Sequence, residues 1–461
     1  MNEADIGANE AGLLRGLTKA QAVMIGLGGA IGTGLFLGSG MAIGLAGPAV
    51  LVSYLLAGFV ALVMVFSLSE MAVVHPAAGS FGVYAEAYLN PWAGFLARTT
   101  YWMAQVAAIG GEAIASGIYM QFWFPGTPVW LWSLAFAVVL LWVNLRSVAN
   151  FGAFEYWFAM IKVAAIVGFI TLGLAAIFGL SGPAVGLANL YALPGGFAPH
   201  GLSGIWLAMT VGLFSFVGIE IIAVTSGEVQ NPQQAIPAAL RTLLLRLFLF
   251  YILALAVVVA FIPWTRIGGG ESVAQSPFVT VLEYSGVHAA AGIMNFVVLV
   301  AALSSMNANT YLTSRMLFSL SRSGLAPRAF GQLSAEGAPR NATLFSGACI
   351  LAAAAVSRLT PLAYSYILYV ATSGMIMVWL TVLASHLVFR RRHAASQLPV
   401  RMPGFPLAQW LAMAILVGGF FTINRQSVAF IAISLWLVLT TLAYLLRHRL
   451  GALFAGATHD A

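Results

Sequence analysis

The sequence predicts an all-α integral membrane protein with twelve membrane-spanning helices. Three observations carry that reading. Of 461 residues, 61% are hydrophobic and 7% are charged, whereas a soluble domain carries about 25% charged residues. The apolar residues form continuous rather than alternating runs, which excludes the strands of a membrane β-barrel. The basic residues gather on one side of those runs, as membrane orientation requires. A chain this long and this poor in charge cannot cover a water-facing surface. Ordinary soluble enzymes, nucleic-acid-binding modules and disordered proteins are therefore excluded.

The apolar runs, numbered here as spans 1 to 12, fall at 20–46, 49–74, 96–124, 129–149, 153–180, 203–226, 238–262, 289–320, 341–358, 361–389, 406–424 and 427–448. Each approaches or exceeds the ~20 residues that cross a bilayer. Place the N-terminus in the cytoplasm. Arg15, Lys19, Arg98, Arg146, Arg241, Arg246, Arg315, Arg322, Arg328, Arg340, Arg390, Arg391, Arg392, Arg401, Arg447 and Arg449 then lie at or beyond cytoplasmic span ends. Arg266, Arg358 and Arg425 lie outside, and Lys162 lies within the membrane. Both termini are expected to be cytoplasmic. Arg390, Arg391 and Arg392 read as a stop-transfer anchor against lipid headgroups, and Glu70 and Glu155 as solvated charges at span ends. The first 19 residues carry no basic-then-apolar cleavable signal. Cys349 is the one cysteine, so no intrachain disulfide forms. The scattered histidines suggest no metal or haem site, and no phosphate-binding loop supports ATP-driven transport. No cofactor is expected.

Spans 1 and 6 are expected to be broken. Span 1 contains Gly26-Leu27-Gly28-Gly29-Ala30-Ile31-Gly32-Thr33-Gly34, five glycines in nine residues. Each weakens a helix by up to about 1 kcal/mol relative to alanine. Close helix packing needs glycines on one face only, but this cluster covers several faces, which favours unwinding. Span 6 reads Gly212-Leu213-Phe214-Ser215-Phe216-Val217-Gly218-Ile219-Glu220. Interruptions in the first spans of two five-helix halves are the signature of an inverted-repeat transporter. A helix restarting near Thr33 and Gly34 offers N–H groups and a dipole to an anion. A helix ending near Phe214 offers carbonyls around Phe214, Phe216 and Val217 to an ammonium. Together they match the head group of an amino acid.

These stretches resemble the amino acid–polyamine–organocation permeases, specifically the bacterial amino acid transporter branch. The resemblance rests on LTKAQAVMIGLGGAIGTGLFLGSG (17–40), YWFAMIKVAAIVGF (156–169), FSFVGIEIIAVTSGEVQNPQQAIPAAL (214–240) and SRMLFSLSRSGLAP (314–327). It implies a LeuT-type fold: a 5+5 inverted repeat plus two C-terminal helices. The division is then a tail at 1–19, repeats at 20–180 and 203–389, and a cytoplasmic loop, spans 11 and 12 and a C-terminal tail at 390–461. The resemblance also implies secondary transport of amino acids, commonly with protons. It assigns Ile31, Gly32, Thr33 and Gly34 to the segment binding the substrate carboxylate. Phe214 corresponds to the aromatic gate, and Phe216, Val217 and Gly218 to the segment binding the amino group. Glu228, Asn231 and Pro232 match a loop signature after span 6, where a helix end and turn is the plainer role.

Three ionisable residues lie inside the membrane. Lys162 is mid-span in span 5, where a lysine costs about 2.5–3.5 kcal/mol on insertion scales. The chain has two lysines and 18 arginines. A desolvated lysine can release its proton and an arginine cannot, so lysine here fits a labile proton. The alternative is a fixed cation tying span 5 to span 1 and to Ser304 or Ser305. The resemblance implies a lysine at this position, where sodium-coupled relatives bind sodium. Glu112 in span 3 and Glu220 beyond the span 6 break are further proton-coupling candidates or structural hydrogen-bond partners. Ser304, Ser305, Asn307, Asn309 and Thr310 in span 8 either line the pathway or bond between helices.

The expected function is proton-coupled amino acid import by alternating access, with the proton as coupling ion and lipid and amino acid as the partners. Few charges near the pocket favour neutral side chains. Glu112 leaves basic substrates open, and Phe214, Phe216 and Trp206 leave aromatic ones open. The run RMLFSLSR (315–322) looks like that of bacterial 4-aminobutyrate permeases. Exchange without net proton movement and a non-transporting sensor are the competing readings; the short termini argue against the sensor.

Overall fold

The structure is a computed structural model. It describes residues 31–77, 79–146, 151–180, 183–224, 231, 233–234, 236–238, 240, 247–267, 276–285, 288–334, 338–393, 398, 400–423 and 427–455. Its described elements are all helical. A π-helical turn at Gly34–Gly38 runs into α1 (Ser39–Ala46), followed by α2 (Val50–Val74), α3 (Ser80–Tyr88), α4 (Pro91–Met120), α5 (Val129–Arg146) and α6 (Phe151–Ile177). Next come α7 (Gly201–Ser215), α8 (Ile221–Val224), a π-helical turn at Leu247–Leu253 continuing as α9 (Ala254–Phe261), α10 (Pro277–Tyr284) and α11 (His288–Arg322). The chain closes with α12 (Arg340–Ala355), α13 (Ala363–Arg392), α14 (Leu407–Ile423) and α15 (Ser427–Ala455). Among the described residues, six helical stretches are long and apolar enough to cross a membrane: Gly34–Val74, Tyr156–Ile177, Ala289–Arg322, Arg340–Arg358, Ala363–Arg392 and Val428–Arg447.

α4 is the hub, packing on α11, α13, α3 and α5. Its start is written locally: the Asn90 side chain accepts from the Ala93 N–H at 2.8 Å, and Pro91 occupies the first turn, where no N–H is needed. Its buried residues include Ala104, Ala107, Ala108, Gly110, Gly111, Ala113 and Ala115. Side chains this small let neighbouring backbones approach in the absence of water. α7 packs against α1 and α2.

Span 6 is interrupted. α7 stops at Ser215, residues 216–220 form turns, and α8 resumes at Ile221. Gly218 has φ +102°, a conformation that side chains rarely adopt. In span 1 the described residues begin with a bend at Ile31 and Gly32. Gly26, Gly28, Gly29 and Ala30 lie outside the described residues, as do Glu228, Pro232, Arg15, Lys19, Arg241, Arg246 and Arg425.

Two helices depart from the expected pattern. α3 and α10 are short elements between spans, and sequence windows sized for a membrane crossing overlook two-turn helices. α3 nevertheless buries Phe81, Tyr84, Ala85 and Tyr88.

Two charges placed in solvent by the sequence are buried. Glu70 is 1% exposed. Its carboxylate lies 2.7 Å from His386 Nε2 and accepts from Arg390 Nη1 at 2.9 and 3.0 Å and from the Met402 N–H. The end of α13 and the segment before α14 cover it, so Arg390 is an ion-pair partner rather than a lipid anchor. Arg98 is fully buried, pairs with Glu86, and donates to Gly94 O at 3.1 Å and Ser323 Oγ at 2.9 Å. Burial of such charges is tolerable because each finds a partner. The side chain of Glu155 is outside the described set.

Candidate functional site: two helix breaks joined by buried carboxylates

α4 positions the site because Gln105, Ala108 and Glu112 follow the i, i+3, i+7 spacing of one helix face. Glu112 faces the start of the first helical segment. Its Oε1 and Oε2 each accept from the Thr33 N–H at 3.2 Å, and Oε1 accepts from Ser305 Oγ at 3.1 Å. Gln105 faces the other break: its Nε2 donates to Glu220 Oε1 at 3.1 Å and to Tyr101 Oη at 3.0 Å.

The bend at Ile31 and Gly32 is also held from α6. Lys162, fully buried, donates from Nζ to the Ile31 carbonyl at 3.0 Å. Cation and carboxylate thus grip one bend from opposite polarity, Lys162 on a carbonyl and Glu112 on the next free N–H but one. Tyr364 Oη donates to Thr33 O at 3.4 Å.

The second break is stitched by its own acid. The Gly218 N–H donates to Glu220 Oε1 and Oε2 at 3.2 and 3.1 Å. Tyr251 Oη donates to Ser215 O at 2.8 Å, and Tyr54 Oη and Ser215 Oγ share a bond at 2.9 Å. The carbonyls expected to be open at this break carry turn bonds: Phe214 O accepts from Val217 N at 3.1 Å, and Phe216 O from Ile219 N at 3.4 Å. Each carbonyl oxygen keeps a second lone pair.

The first helical segment meets the span 6 break at Gly34. A Cβ there would lie 2.6 Å from Ser215 Cα, so glycine is what allows the two backbones to touch.

Between them lies a cavity of about 10 Å³, lined in part by Gly32, Glu112, Phe214, Val217, Ser305 and Asn309. That is room for about one water. Among its lining residues Glu112 alone carries charge.

The structure brings most of the expected residues together and leaves some out. Phe214 lines the cavity, whereas Phe216 stacks on Tyr251 at 4.8 Å. Asn307 is turned to α5, where Asn144 Nδ2 donates to its Oδ1 at 2.9 Å. Ser304 is buried but is not among the lining residues. Trp206 donates to Thr422 Oγ1 at 2.8 Å and packs over Gly418, so it serves the α14 contact. Sequence reasoning passed over Gln105, although a polar residue seven positions before Glu112 in an apolar span was a readable signal. Tyr54, Tyr251 and Tyr364 carried none, because tyrosines in spans look like interfacial anchors.

A family model described as amino acid permease matches residues 21–451. The chain is 42% identical over 411 residues to the uncharacterized amino acid permease YtnA of Bacillus subtilis, covering 88% of each. It is 40% identical over 417 residues to the gamma-aminobutyric acid permease of Bacillus subtilis, covering 89% of this chain and 88% of that one. It is 37% identical over 445 residues to the aromatic amino acid transport protein AroP of Escherichia coli K12, covering 95% and 96%. With its apolar helices, this makes the chain a member of the amino acid permease family: a bacterial multi-pass membrane transporter of the amino acid–polyamine–organocation superfamily, and not an enzyme.

Proposed function

We propose that this permease imports neutral amino acids across the cytoplasmic membrane by proton symport and alternating access. The observation that carries the proposal is Glu112 seated on the Thr33 N–H. The turn expected to take a substrate carboxylate already holds a carboxylate, supplied by the protein. An arriving substrate competes for the same donor, and a Glu112 released from it is free to accept a proton. Lys162 keeps the bend in place through the Ile31 carbonyl while that exchange occurs. The substrate ammonium then takes the remaining lone pairs at Phe214, Phe216 and Val217. Glu112 as the one charged lining residue supports a neutral side chain, since no acid is left over for a basic one.

In this reading the fold is of LeuT type, with both termini cytoplasmic. Twelve spans are supported by the six long apolar stretches, one of which covers spans 1 and 2. The 30-residue α4 and the shorter apolar helices Val129–Leu145, Gly201–Ser215, Leu249–Phe261 and Leu407–Ile423 complete the set. One proton moving inward contributes about 2.3 kcal/mol per 100 mV.

The test is uptake of labelled amino acids into proteoliposomes with an imposed proton gradient. Accumulation that collapses with the gradient is expected. Unchanged concentrative uptake after collapse would reject coupling, and uptake only into vesicles preloaded with substrate would establish exchange instead.

A further inference from the structure

We propose that Asn309 determines substrate specificity by accepting a hydrogen bond from a donor on the substrate side chain, which selects hydroxyl-bearing amino acids over their alkyl or phenyl counterparts. The inference rests on the amino acid transport reading of the same site and goes beyond it to the side-chain subsite.

The argument follows a chain of three hydrogen bonds. With Glu112 ionised, its carboxylate can only accept, and both its oxygens receive the Thr33 N–H. Ser305 has a single hydroxyl hydrogen, and it goes to Glu112 Oε1 at 3.1 Å. The Ser305 oxygen is then left as an acceptor, and Asn309 Nδ2 donates to it at 3.3 Å. Each link fixes the next, so the ambiguity of an amide's two ends is removed by its neighbours. The result leaves Asn309 Oδ1 without a partner among the described residues.

That atom is buried, on a residue that lines the cavity. Asn309 is 3% exposed and lines the cavity together with Gly32, Glu112 and Ser305. It lies one helical turn beyond Ser305 on the same face of α11, away from the bend at Ile31 and Gly32 that takes the head group. A buried amide oxygen with no donor is costly. A substrate donor would relieve that cost, whereas an alkyl side chain would seal the oxygen in. Discrimination of this kind is strong because the penalty falls on the wrong substrate. The α-ammonium has acceptors of its own at the second break, which leaves Oδ1 for the side chain.

The experiment compares substrates that differ by one donor: L-threonine against L-valine, and L-tyrosine against L-phenylalanine. Uptake by the full chain in proteoliposomes gives KM and kcat for each. The unmodified protein is expected to favour threonine over valine, or tyrosine over phenylalanine, by about tenfold in kcat/KM. Asn309→Leu should bring that ratio to about one or below. Asn309→Asp, which keeps an acceptor, should retain the preference. Because misfolding lowers both members of a pair together, the ratio is the readout. An unmodified protein that takes up the alkyl or phenyl partner at least as well overturns the proposal. So does one that transports other amino acids but neither pair, or an Asn309→Leu ratio that is unchanged. The last outcome, with both KM values raised equally, assigns Oδ1 to the ammonium. Uptake of no amino acid at all defeats the transport reading, a different result from any of these.

Discussion

Two buried carboxylates in this protein live in opposite circumstances. Glu70 is enclosed by His386, Arg390 and the Met402 N–H, so a guanidinium, an imidazole and a backbone donor converge on it. Glu112 is enclosed by the Thr33 N–H and the Ser305 hydroxyl, both neutral, while Lys162 bonds the Ile31 carbonyl nearby. The first arrangement is closed: removing any member strands a charge. The second is exchangeable, because its donors would serve another carboxylate equally well. Burial alone therefore says little about function; the kind of partner separates a clamp from a site.

The comparison can be broken by measuring stability and transport side by side. Glu70→Ala should produce the largest loss of stability, about 3–5 kcal/mol, because the largely enclosed Arg390, whose side chain is 11% exposed, is left without its counter-charge. The fall in thermal unfolding temperature in detergent reads it directly. Gly218→Ala should cost about 1–3 kcal/mol through strain at a positive φ. Its unfolding temperature should fall less than that of Glu70→Ala. Glu112→Gln should cost no more than about 1–3 kcal/mol, yet abolish proton-driven accumulation in vesicles. If Glu112→Gln destabilises as much as Glu70→Ala and spares transport, the contrast between the two sites is wrong. Lys162→Ala belongs with Glu112→Gln: gradient-driven uptake should vanish, and preserved uptake would remove Lys162 from the coupling machinery. Asn307→Ala should have the smallest effect, about 0.6–1.7 kcal/mol, as for other hydrogen bonds between membrane helices. Its transport should remain near that of the unmodified protein, since Asn307 faces Asn144 and not the cavity.

What could be read in advance follows the same division. The interruption of span 6 was visible because glycine and a carboxylate within one apolar run are local signals. Lys162 and Glu112 stood out because charge is scarce in the membrane. The enclosure of Glu70 was not visible, because its partners lie 316 and 332 residues away and nothing local specifies them. Near the end of a span, a carboxylate that meets water and one that meets a folded-back loop have the same sequence. Asn307 and Asn309 show the limit within a single helix. Two positions apart, they point about 200° from one another, and only the packing of α11 decides which one reaches the cavity.

The meeting of Gly34 with Ser215 has a mechanical consequence. With bare backbone on one side and Ser215 Cα on the other, the first helical segment and α7 touch with no compressible side chain between them. Such a contact leaves no slack, as between meshed gears. A methyl group added at Gly34 is a wedge that has to drive the two backbones apart.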